Sequence, residues 1–254
     1  VVDRVRKRLG ERRVGHAGTL DPDATGVLLV GVGNATRLMR FMDLVEFEGR
    51  MISRKSYTGT VVLGTETSTL DAAGDVTATH DMHEVLDRLA KPDGVEFLQS
   101  IVDANLLGDI MQVPPMVSAI RVDGKRLHEL AREGVEVERE PRPVTVFSFA
   151  VSSVAGNTID IDVTCSSGTF IRTLAADLGR LLGGGAHLRG LRRTSVGAFR
   201  IDEAAGIDET PLRPIEDAVR GLSSYAVSDT EAESWSAAAS TGKVLPAGTF
   251  SGPE

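Results

Sequence analysis

The chain has 254 residues, and at about 100–200 residues per domain this length predicts one large domain or two unequal ones. Hydrophobic residues make up 41% and charged residues 25%, values typical of a globular protein that exclude disordered, collagen-like and coiled-coil classes. A lone Cys165 excludes a disulfide framework and a cysteine-based zinc site. With no run near the roughly 18 apolar residues of a membrane helix, we expect no membrane association and a reducing, cytoplasmic location.

The formal net charge of −8 hides a segregation of charge along the chain. Residues 1–40 carry a net charge of +4 and residues 172–200 carry +5. Residues 41–117 and 201–254 carry −8 and −7. If the two basic segments meet in the fold, they form a positive face that attracts phosphate, because the local field matters more than the total. Chance clustering of surface charge is the alternative at this point.

The elements predicted from periodicity and turn signals mix strands and helices. Strands are predicted at residues 27–32, 57–64, 144–151 and 158–165 and around Phe199 and Ile201. Helices are predicted after an N-cap at Asn34, at 83–89, from Gly124 to about Gly134, and at 170–182 with a cap at Thr169 or nearby. Residues 65–80 resemble turns, and 91–109 show no clear period. Because no regular βαβ repeat occurs, the fold class is α+β.

The densest cluster of chemistry-bearing residues is segment 15–26, GHAGTLDPDATG, directly before the first predicted strand. Pro22 biases Asp21 toward an extended conformation, and the flanking glycines permit tight turns and the close approach of a large ligand. Asp21 is thus a candidate catalytic carboxylate on a loop held by a rigid strand. An Asp-Pro turn without catalytic purpose is the alternative.

Arg172 stands in the first turn of a predicted helix, after the polar turn 165–169. A cation at that end opposes the helix dipole, so it calls for an anionic partner, either a phosphate or a carboxylate. A surface salt bridge is the plainer alternative.

Other candidates are weaker, and several chemistries are unsupported by sequence. His16 is a stacking ring, a ligand or an ordinary loop histidine, and Tyr57 is either a core or a catalytic residue. No pair of His or Cys residues has metal-ligand spacing, and no P-loop, GxGxxG or GxSxG motif occurs. Nucleotide hydrolysis and dinucleotide redox chemistry therefore have no support, and we expect neither a metal nor a cofactor.

Taken together, these segments resemble the bacterial tRNA pseudouridine synthases of the TruB type, over about residues 1–200. The resemblance implies a pseudouridine synthase fold with a mixed, largely antiparallel central sheet flanked by helices and loops. It also implies isomerisation of the T-loop uridine at tRNA position 55, with the base flipped out. The matching blocks are 15–28, 55–57 with 62–64, 112–125 with 131–134, 165–174, 184–188 and 191–194.

Carried over position by position, the resemblance assigns roles to the candidate residues. Asp21 is the nucleophile, Tyr57 packs on the base and assists proton removal, and Arg172 pairs with Asp21. Leu191 closes the apolar side of the pocket, and His16 contacts the flipped base. Further contacts with RNA are implied for basic residues of several segments: Arg12, Arg13, Lys125, Arg192 and Arg193.

The resemblance also sets expectations for domains and partners. Residues 1–225 are expected to form the catalytic domain, with an N-terminal family segment missing before Val1. Residues 226–254 are expected to begin a small, incomplete PUA-like RNA-binding domain. The substrate is the tRNA T-stem-loop, and we expect a monomer that requires no protein partner. Phe170 stands where the family often has tyrosine, and 47–53 resembles an insertion.

Three alternatives remain open from the sequence. A guide-RNA-dependent synthase would share the fold. A tRNA-binding or folding chaperone without catalysis would keep the basic faces but would not need Asp21. A carboxylate glycosidase would need a second carboxylate about 5–9 Å from Asp21, for which Asp23 is the nearest candidate in sequence.

Overall fold

The computed structural model describes residues 1–118, 120–122, 124–135, 137–224 and 228. Contacts divide the chain into two compact units, Val1–Gly221 and Leu222–Glu254, and every feature below belongs to the first. None of the described helices is long and apolar enough to span a membrane. The expected PUA-like segment, 226–254, lies outside the described residues apart from Ser228.

Within the described residues the chain forms five α-helices, fifteen short or long strands and four 3₁₀ turns. The helices are α1 Val2–Leu9, α2 His83–Leu89, α3 Gly94–Asn105, α4 Leu127–Arg132 and α5 Ile171–Leu181. The strands are β1 Val14–Ala17, β2 Thr25–Gly26, β3 Leu29–Val32, β4 Leu44–Phe47, β5 Arg50–Ser53, β6 Lys55–Leu63, β7 Thr65–Thr67, β8 Val76–Thr79, β9 Gly108–Gln112, β10 Arg121–Val122, β11 Lys125–Arg126, β12 Arg142–Ala155, β13 Thr158–Cys165, β14 Ala186–Val196 and β15 Phe199–Arg200.

A seven-stranded sheet forms the centre of the fold. Its order is β15-β14-β6-β13-β12-β9, and the short β2 pairs with β14. The β2–β14 pair is parallel and the other pairs are antiparallel. The predicted α+β class with a mixed, largely antiparallel sheet is therefore confirmed.

The core lies on one face of this sheet. Along β6 every second residue is buried, so Lys55 and Tyr57 share the buried face with Val61. Helix α5 contributes Leu174 and Leu178 to the same apolar cluster. Two polar residues of the site, Lys55 and Tyr57, are thus carried by a strand whose other side chains on that face are in the core.

Several predicted elements differ in detail from those observed. The strand predicted at 27–32 begins at Leu29. Asn34 is not an N-cap, because the chain there forms two short 3₁₀ turns, 33–37 and 39–41, without a side-chain cap. The helix expected from Gly124 begins at Leu127, since β11 first pairs with β10.

Other differences are elements that lack a clear sequence pattern. Helix α3 lies in the stretch without a clear period, and residues 65–80 contain the hairpin β7–β8. The cap of α5, predicted at Thr169 or nearby, is Phe170, without a side-chain cap hydrogen bond of its own. The strand at Phe199 ends at Arg200, and a 3₁₀ turn begins at Ile201.

Candidate active site

The loop that carries Asp21 runs from β1 to β2 and packs closely on β14. Gly26 adopts φ +105°, and a Cβ built there would lie 2.1 Å from the carbonyl oxygen of Arg193. Only glycine fits such a position. Because β2 pairs with β14, the two basic segments of the sequence meet at this place.

Arg193 holds the Asp21 loop through hydrogen bonds to its backbone. Its side chain is almost completely buried, at 1% exposure. Nε donates to the carbonyl oxygen of Val27 at 2.8 Å, and the two Nη atoms donate to the carbonyls of Thr19 and Gly18 at 3.3 Å. The sequence predicted an RNA contact for Arg193. That prediction is wrong for a phosphate contact on the surface, because the guanidinium is buried and committed to backbone carbonyls.

Asp21 and Arg172 form a two-pronged ion pair. Arg172 Nε donates to Oδ2 of Asp21, and Nη2 donates to Oδ1, both at 2.9 Å. The Arg172 side chain is 3% exposed and that of Asp21 is 35% exposed. Arg172 also donates to the carbonyl oxygens of Thr69 at 2.7 Å and Val117 at 2.9 Å. The guanidinium therefore fixes the carboxylate in one orientation while Asp21 keeps one side open.

Asp71 is a second carboxylate on the same guanidinium, and sequence reasoning missed it. Its Oδ2 lies 3.6 Å from Arg172 Nε, and Oδ1 accepts a hydrogen bond from Thr69 at 2.5 Å. Leu70 precedes it with φ +61°, a conformation that is costly for a bulky side chain. A bridge from Asp71 to Leu188 on β14 holds this backbone in place. In the sequence, the one sign of a role for Asp71 is its position in a polar segment that resembles turns.

Gln112 holds Phe170, the N-cap residue of α5, which lies two residues before Arg172. This glutamine is 2% exposed. Its Oε1 accepts from the Phe170 amide at 2.7 Å, and its Nε2 donates to the Phe170 carbonyl at 3.1 Å. The side chain thus replaces a helix cap and sets the position of the first turn. Sequence reasoning also missed this residue.

The ion pair faces a cavity of about 370 Å³, here called the main cavity. This volume lies at the lower end of small-molecule sites. A smaller cavity of about 130 Å³ shares Asp21, Arg172 and Leu191 with it. The lining of the main cavity includes Gly18, Thr19, Asp21, Lys55, Tyr57, Phe170, Arg172 and Leu191. The predicted residues Asp21, Tyr57, Arg172 and Leu191 are thus brought together.

Tyr57 is held as a neutral phenol on the wall of the main cavity. Burial raises its pKa to about 12, although the neighbouring Arg193 guanidinium opposes this shift. At neutral pH its hydroxyl therefore keeps its proton. A neutral phenol can accept a proton only by passing its own to another acceptor.

Lys55 and Asp43 form a second buried ion pair beside this cavity. Lys55 Nζ lies 3.3 Å from Asp43 Oδ2, and that oxygen also accepts from Ser53 at 2.8 Å and Ser167 at 2.6 Å. Burial raises the pKa of Asp43, but the two hydroxyls and the ammonium outweigh burial and leave it below its ordinary value. Asp43 therefore stabilises the folded state as an anion.

We expect Asp43→Asn to remove part of the acid sensitivity of folding. A carboxyl whose pKa is lowered in the folded state contributes stability above its unfolded pKa near 3.8, and this is lost as pH falls through the lower folded value. Urea unfolding at pH 5 and pH 3 should show the wild-type advantage over the variant shrinking at pH 3. Asp87→Asn, on an exposed position of α2, is the control. An advantage equal at both pH values would contradict this expectation.

The remaining predicted residues lie outside the main cavity. His16 is exposed on β1 and lines neither of the two described cavities. Arg12 and Arg13 are exposed, and Arg13 donates to Asn34 at 3.2 Å. Lys125 is exposed and lies 3.3 Å from Glu133. Arg192 is exposed on β14 and donates to Thr25 at 3.2 Å. In the described part of the chain, no group of three or more His, Cys, Asp or Glu residues could hold a metal.

Comparisons with known proteins agree with this architecture. Residues 6–171 match the TruB family pseudouridylate synthase N-terminal domain, and residues 172–219 match the tRNA pseudouridylate synthase B C-terminal domain. The chain is 47% identical over 221 residues to tRNA pseudouridine synthase B of Rhodococcus jostii, covering 84% of this chain and 66% of that protein. It is 44% identical over 214 residues to the same enzyme of Aromatoleum aromaticum, covering 84% and 64%.

A solved structure shares the fold. The crystal structure of a Cbf5-Nop10-Gar1 complex aligns with a TM-score of 0.54 and 25% identity, covering 87% of this chain and 57% of that chain. The chain spans about two thirds of the length of the curated relatives named above. From the two domain matches and these relatives, the chain belongs to the TruB family of pseudouridylate synthases.

Proposed function

We propose that this chain is a tRNA pseudouridine synthase that isomerises the T-loop uridine. The observation that carries the proposal is the Asp21 carboxylate, fixed by the buried Arg172 at the wall of a cavity lined by Tyr57 and Leu191. Membership of the TruB family supports the reaction class. The tRNA substrate is supported by the names of the relatives. We expect the chain to act in the cytoplasm as a monomer, without a cofactor or protein partner.

The reaction needs a group like Asp21 and exchanges no electrons with a second reactant. The C1′–N1 bond of uridine breaks and a C1′–C5 bond forms, while C5 loses its hydrogen as a proton and N1 gains one. The product is an isomer of the substrate, so no electrons are exchanged with a second reactant. A carboxylate serves as a nucleophile or as a counter-charge to a developing sugar cation. Arg172 keeps that carboxylate aimed, because Nε and Nη2 each hold one of its two oxygens.

The target base must leave its stack to reach Asp21. Enzymes that act on a base extrude it into a pocket and pay a few kcal/mol for unstacking. Contact with aromatic side chains returns about 1–3 kcal/mol per base. Tyr57 and Phe170 line the main cavity together with Leu191, which supplies an aromatic and apolar surface for the flipped uracil. His16 is exposed and lines neither described cavity, and its contact with the flipped base stays a prediction.

Tyr57→Phe should preserve binding and slow the reaction. The ring remains to contact the base, but the hydroxyl that relays or donates a proton is lost. We expect unchanged affinity for a T-stem-loop and a single-turnover rate lowered by about 10²-fold. Because the pKa of Tyr57 is raised to about 12, the wild-type rate should not rise through ionisation of this tyrosine between pH 7 and 9. A Tyr57→Phe variant as fast as wild type would exclude a role for the hydroxyl.

Exposed arginines of the two basic segments are proposed to hold the RNA backbone. Arg192→Ala should weaken RNA binding and reduce the slope of log K against log salt by about 0.7–0.9, as for one lost phosphate contact. Filter binding across a salt series measures this slope. Arg88→Ala is the control, since Arg88 is paired with Asp93 and lies outside both segments. Equal slopes for wild type and Arg192→Ala would remove Arg192 from the interface.

The proposal is tested by incubating the protein with a transcribed T-stem-loop and analysing the digested nucleosides. We expect pseudouridine at the target position, with many turnovers per protein molecule and no guide RNA added. A substrate with cytidine at that position should remain unmodified. Tight RNA binding without any pseudouridine would support the chaperone alternative. Conversion that requires a guide RNA would support a guide-dependent enzyme.

A further inference from the structure

Lys55 is a buried cation on the wall of the main cavity, and the chemistry above gives it no role. It precedes Tyr57 by two residues on β6, so both side chains lie on the same face of the sheet. Its side chain is 11% exposed. A lysine is rarely buried to this extent unless it is paired, and this one lines the main cavity together with Asp21.

The ammonium is held by Ser167 and Asp43, neither of which forms a hydrogen bond or an ion pair with Asp21 in the described part of the chain. Nζ donates to Ser167 Oγ at 2.5 Å and lies 3.3 Å from Asp43 Oδ2. Ser167 in turn donates to Asp43. These two partners account for two of the three N–H groups of an ammonium. Nζ also lies 3.2 Å from where a Cβ of Gly18 would be, so it packs against the Asp21 loop.

Each nitrogen of the other two cations that line the main cavity donates at least one hydrogen bond to the protein. Arg172 donates from Nε and both Nη atoms to Asp21, Thr69 and Val117. Arg193 donates from its three nitrogens to backbone carbonyls. A guanidinium has five N–H groups, and these bonds use four of them in Arg172 and three in Arg193. Lys55 is the ammonium among the described residues that line this cavity, and its contacts with Ser167 and Asp43 leave one of its three N–H groups for a bound molecule.

The proposed reaction develops a negative charge on the base. If Asp21 attacks C1′, or if a glycal forms, the C1′–N1 bond breaks with its electron pair and leaves a uracil anion. If Asp21 attacks C6, the electrons move to O4 as an enolate. Every route therefore places a negative charge on the uracil carbonyl oxygens. Oriented donors stabilise such a charge strongly in a site that excludes water.

We propose that Lys55 is a further catalytic residue, whose ammonium donates a hydrogen bond to a carbonyl oxygen of the flipped uracil and stabilises the charge that develops on it. Asp43 and Ser167 hold the ammonium in place as positioning residues. This inference rests on the proposed function, because it needs a uracil in the main cavity. It does not depend on which atom Asp21 attacks.

The test compares the wild type with a double variant that removes the buried ion pair, and with the single variant that removes only its carboxylate. Lys55→Met alone would leave Asp43 as an unpaired buried carboxylate, which is strongly destabilising. We therefore compare the wild type with Asp43→Asn/Lys55→Met, which removes both charges of the pair, and include Asp43→Asn to measure the loss of the positioning residue alone. Single-turnover rates are measured on three T-stem-loops, with uridine, 2-thiouridine or 4-thiouridine as the target, each tritiated at C5. Sulfur accepts hydrogen bonds more weakly than oxygen, so a thio group replaces the proposed contact.

The double variant should bind the uridine RNA as the wild type does and react about 10²-fold more slowly than the wild type. On one of the two thiouridine substrates this loss should shrink at least threefold, which identifies the contacted oxygen. A loss below threefold on uridine, or equal losses on all three substrates, would overturn the proposal. If the double variant is unfolded at the assay temperature, Asp43→Asn/Lys55→Gln replaces it under the same criteria. Lys91→Met, at an exposed position, controls for loss of a lysine.

In these measurements the role of Lys55 can fail while the proposed function holds. Conversion of uridine by the wild-type protein establishes the reaction whether or not Lys55 contributes. Failure of the wild type to convert uridine overturns both the proposed function and the role of Lys55.

Discussion

Asp21→Asn is expected to lower the single-turnover rate of uridine isomerisation by roughly 10⁴-fold or more, the scale seen when one member of a catalytic unit is removed. Asparagine occupies nearly the same volume but carries no charge and is a poor nucleophile. It can neither form a covalent link nor offset a sugar cation. Rapid mixing with excess enzyme, followed by nucleoside analysis, measures the loss.

The structure also predicts what Asp21→Asn should leave intact. Arg172 keeps its bonds to Thr69 and Val117, and Asp71 remains 3.6 Å away as a counter-charge. The variant should therefore fold and bind the T-stem-loop with an affinity close to that of wild type. Asp23→Asn, at an exposed neighbouring position, is the matched control and should retain most of its rate. A large rate loss in Asp23→Asn with little in Asp21→Asn would indicate that Asp23 is the nucleophile instead of Asp21.

Arg172→Lys has the second largest expected effect, with a rate loss of about 10²–10³-fold. Lysine supplies a positive charge but not a planar fork, so it cannot hold both oxygens of Asp21. A carboxylate misplaced by about 1 Å can cost 10²-fold. Affinity for the RNA should change little, because the side chain is buried. The single-turnover rate and the dissociation constant, measured together, separate these two effects.

Arg172→Lys should also destabilise the fold. The native side chain serves both oxygens of Asp21 and two backbone carbonyls, and three ammonium protons cannot serve four acceptors. One unsatisfied buried acceptor costs about 1–3 kcal/mol, which lowers Tm by about 2–4 °C per kcal/mol at this size. Arg180→Lys is the control, since Arg180 forms an exposed pair with Asp177 on the same helix. Full activity in Arg172→Lys would show that charge alone suffices.

The central part of the fold follows from local patterns in the sequence. In β13, Ile159 and Ile161 alternate with Asp160 and Asp162, and this strand is observed as predicted. Helix α5 lies close to its predicted bounds because its leucines recur at helical spacing. A period of two or 3.6 in the apolar residues appears when a strand or a helix buries one face. Both β13 and α5 bury one face, so their sequences carry this period.

Elements whose residues depend on distant partners were not predictable in this way. Strand β14 is rich in arginine, and it is a strand because β6 lies beside it in the sheet. Arg193 looks like a surface cation in sequence but is buried beneath the Asp21 loop. The roles of four other residues depend on contacts with residues far away in the chain, which sequence patterns do not show: Asp71, Gln112, Lys55 and Asp43. Motif resemblance located Asp21 and Arg172, but not the residues that support them.

The most direct test of the central claim is tritium release from a T-stem-loop labelled at C5 of the target uridine. C5 must lose its hydrogen before the new bond to the sugar is complete, so release reports the isomerisation itself. We expect wild-type protein to release the label from all active substrate and Asp21→Asn to release none. Release by both proteins at similar rates would contradict the role of Asp21. No release by wild type, with RNA binding intact, would contradict the assignment of this chain as a pseudouridine synthase.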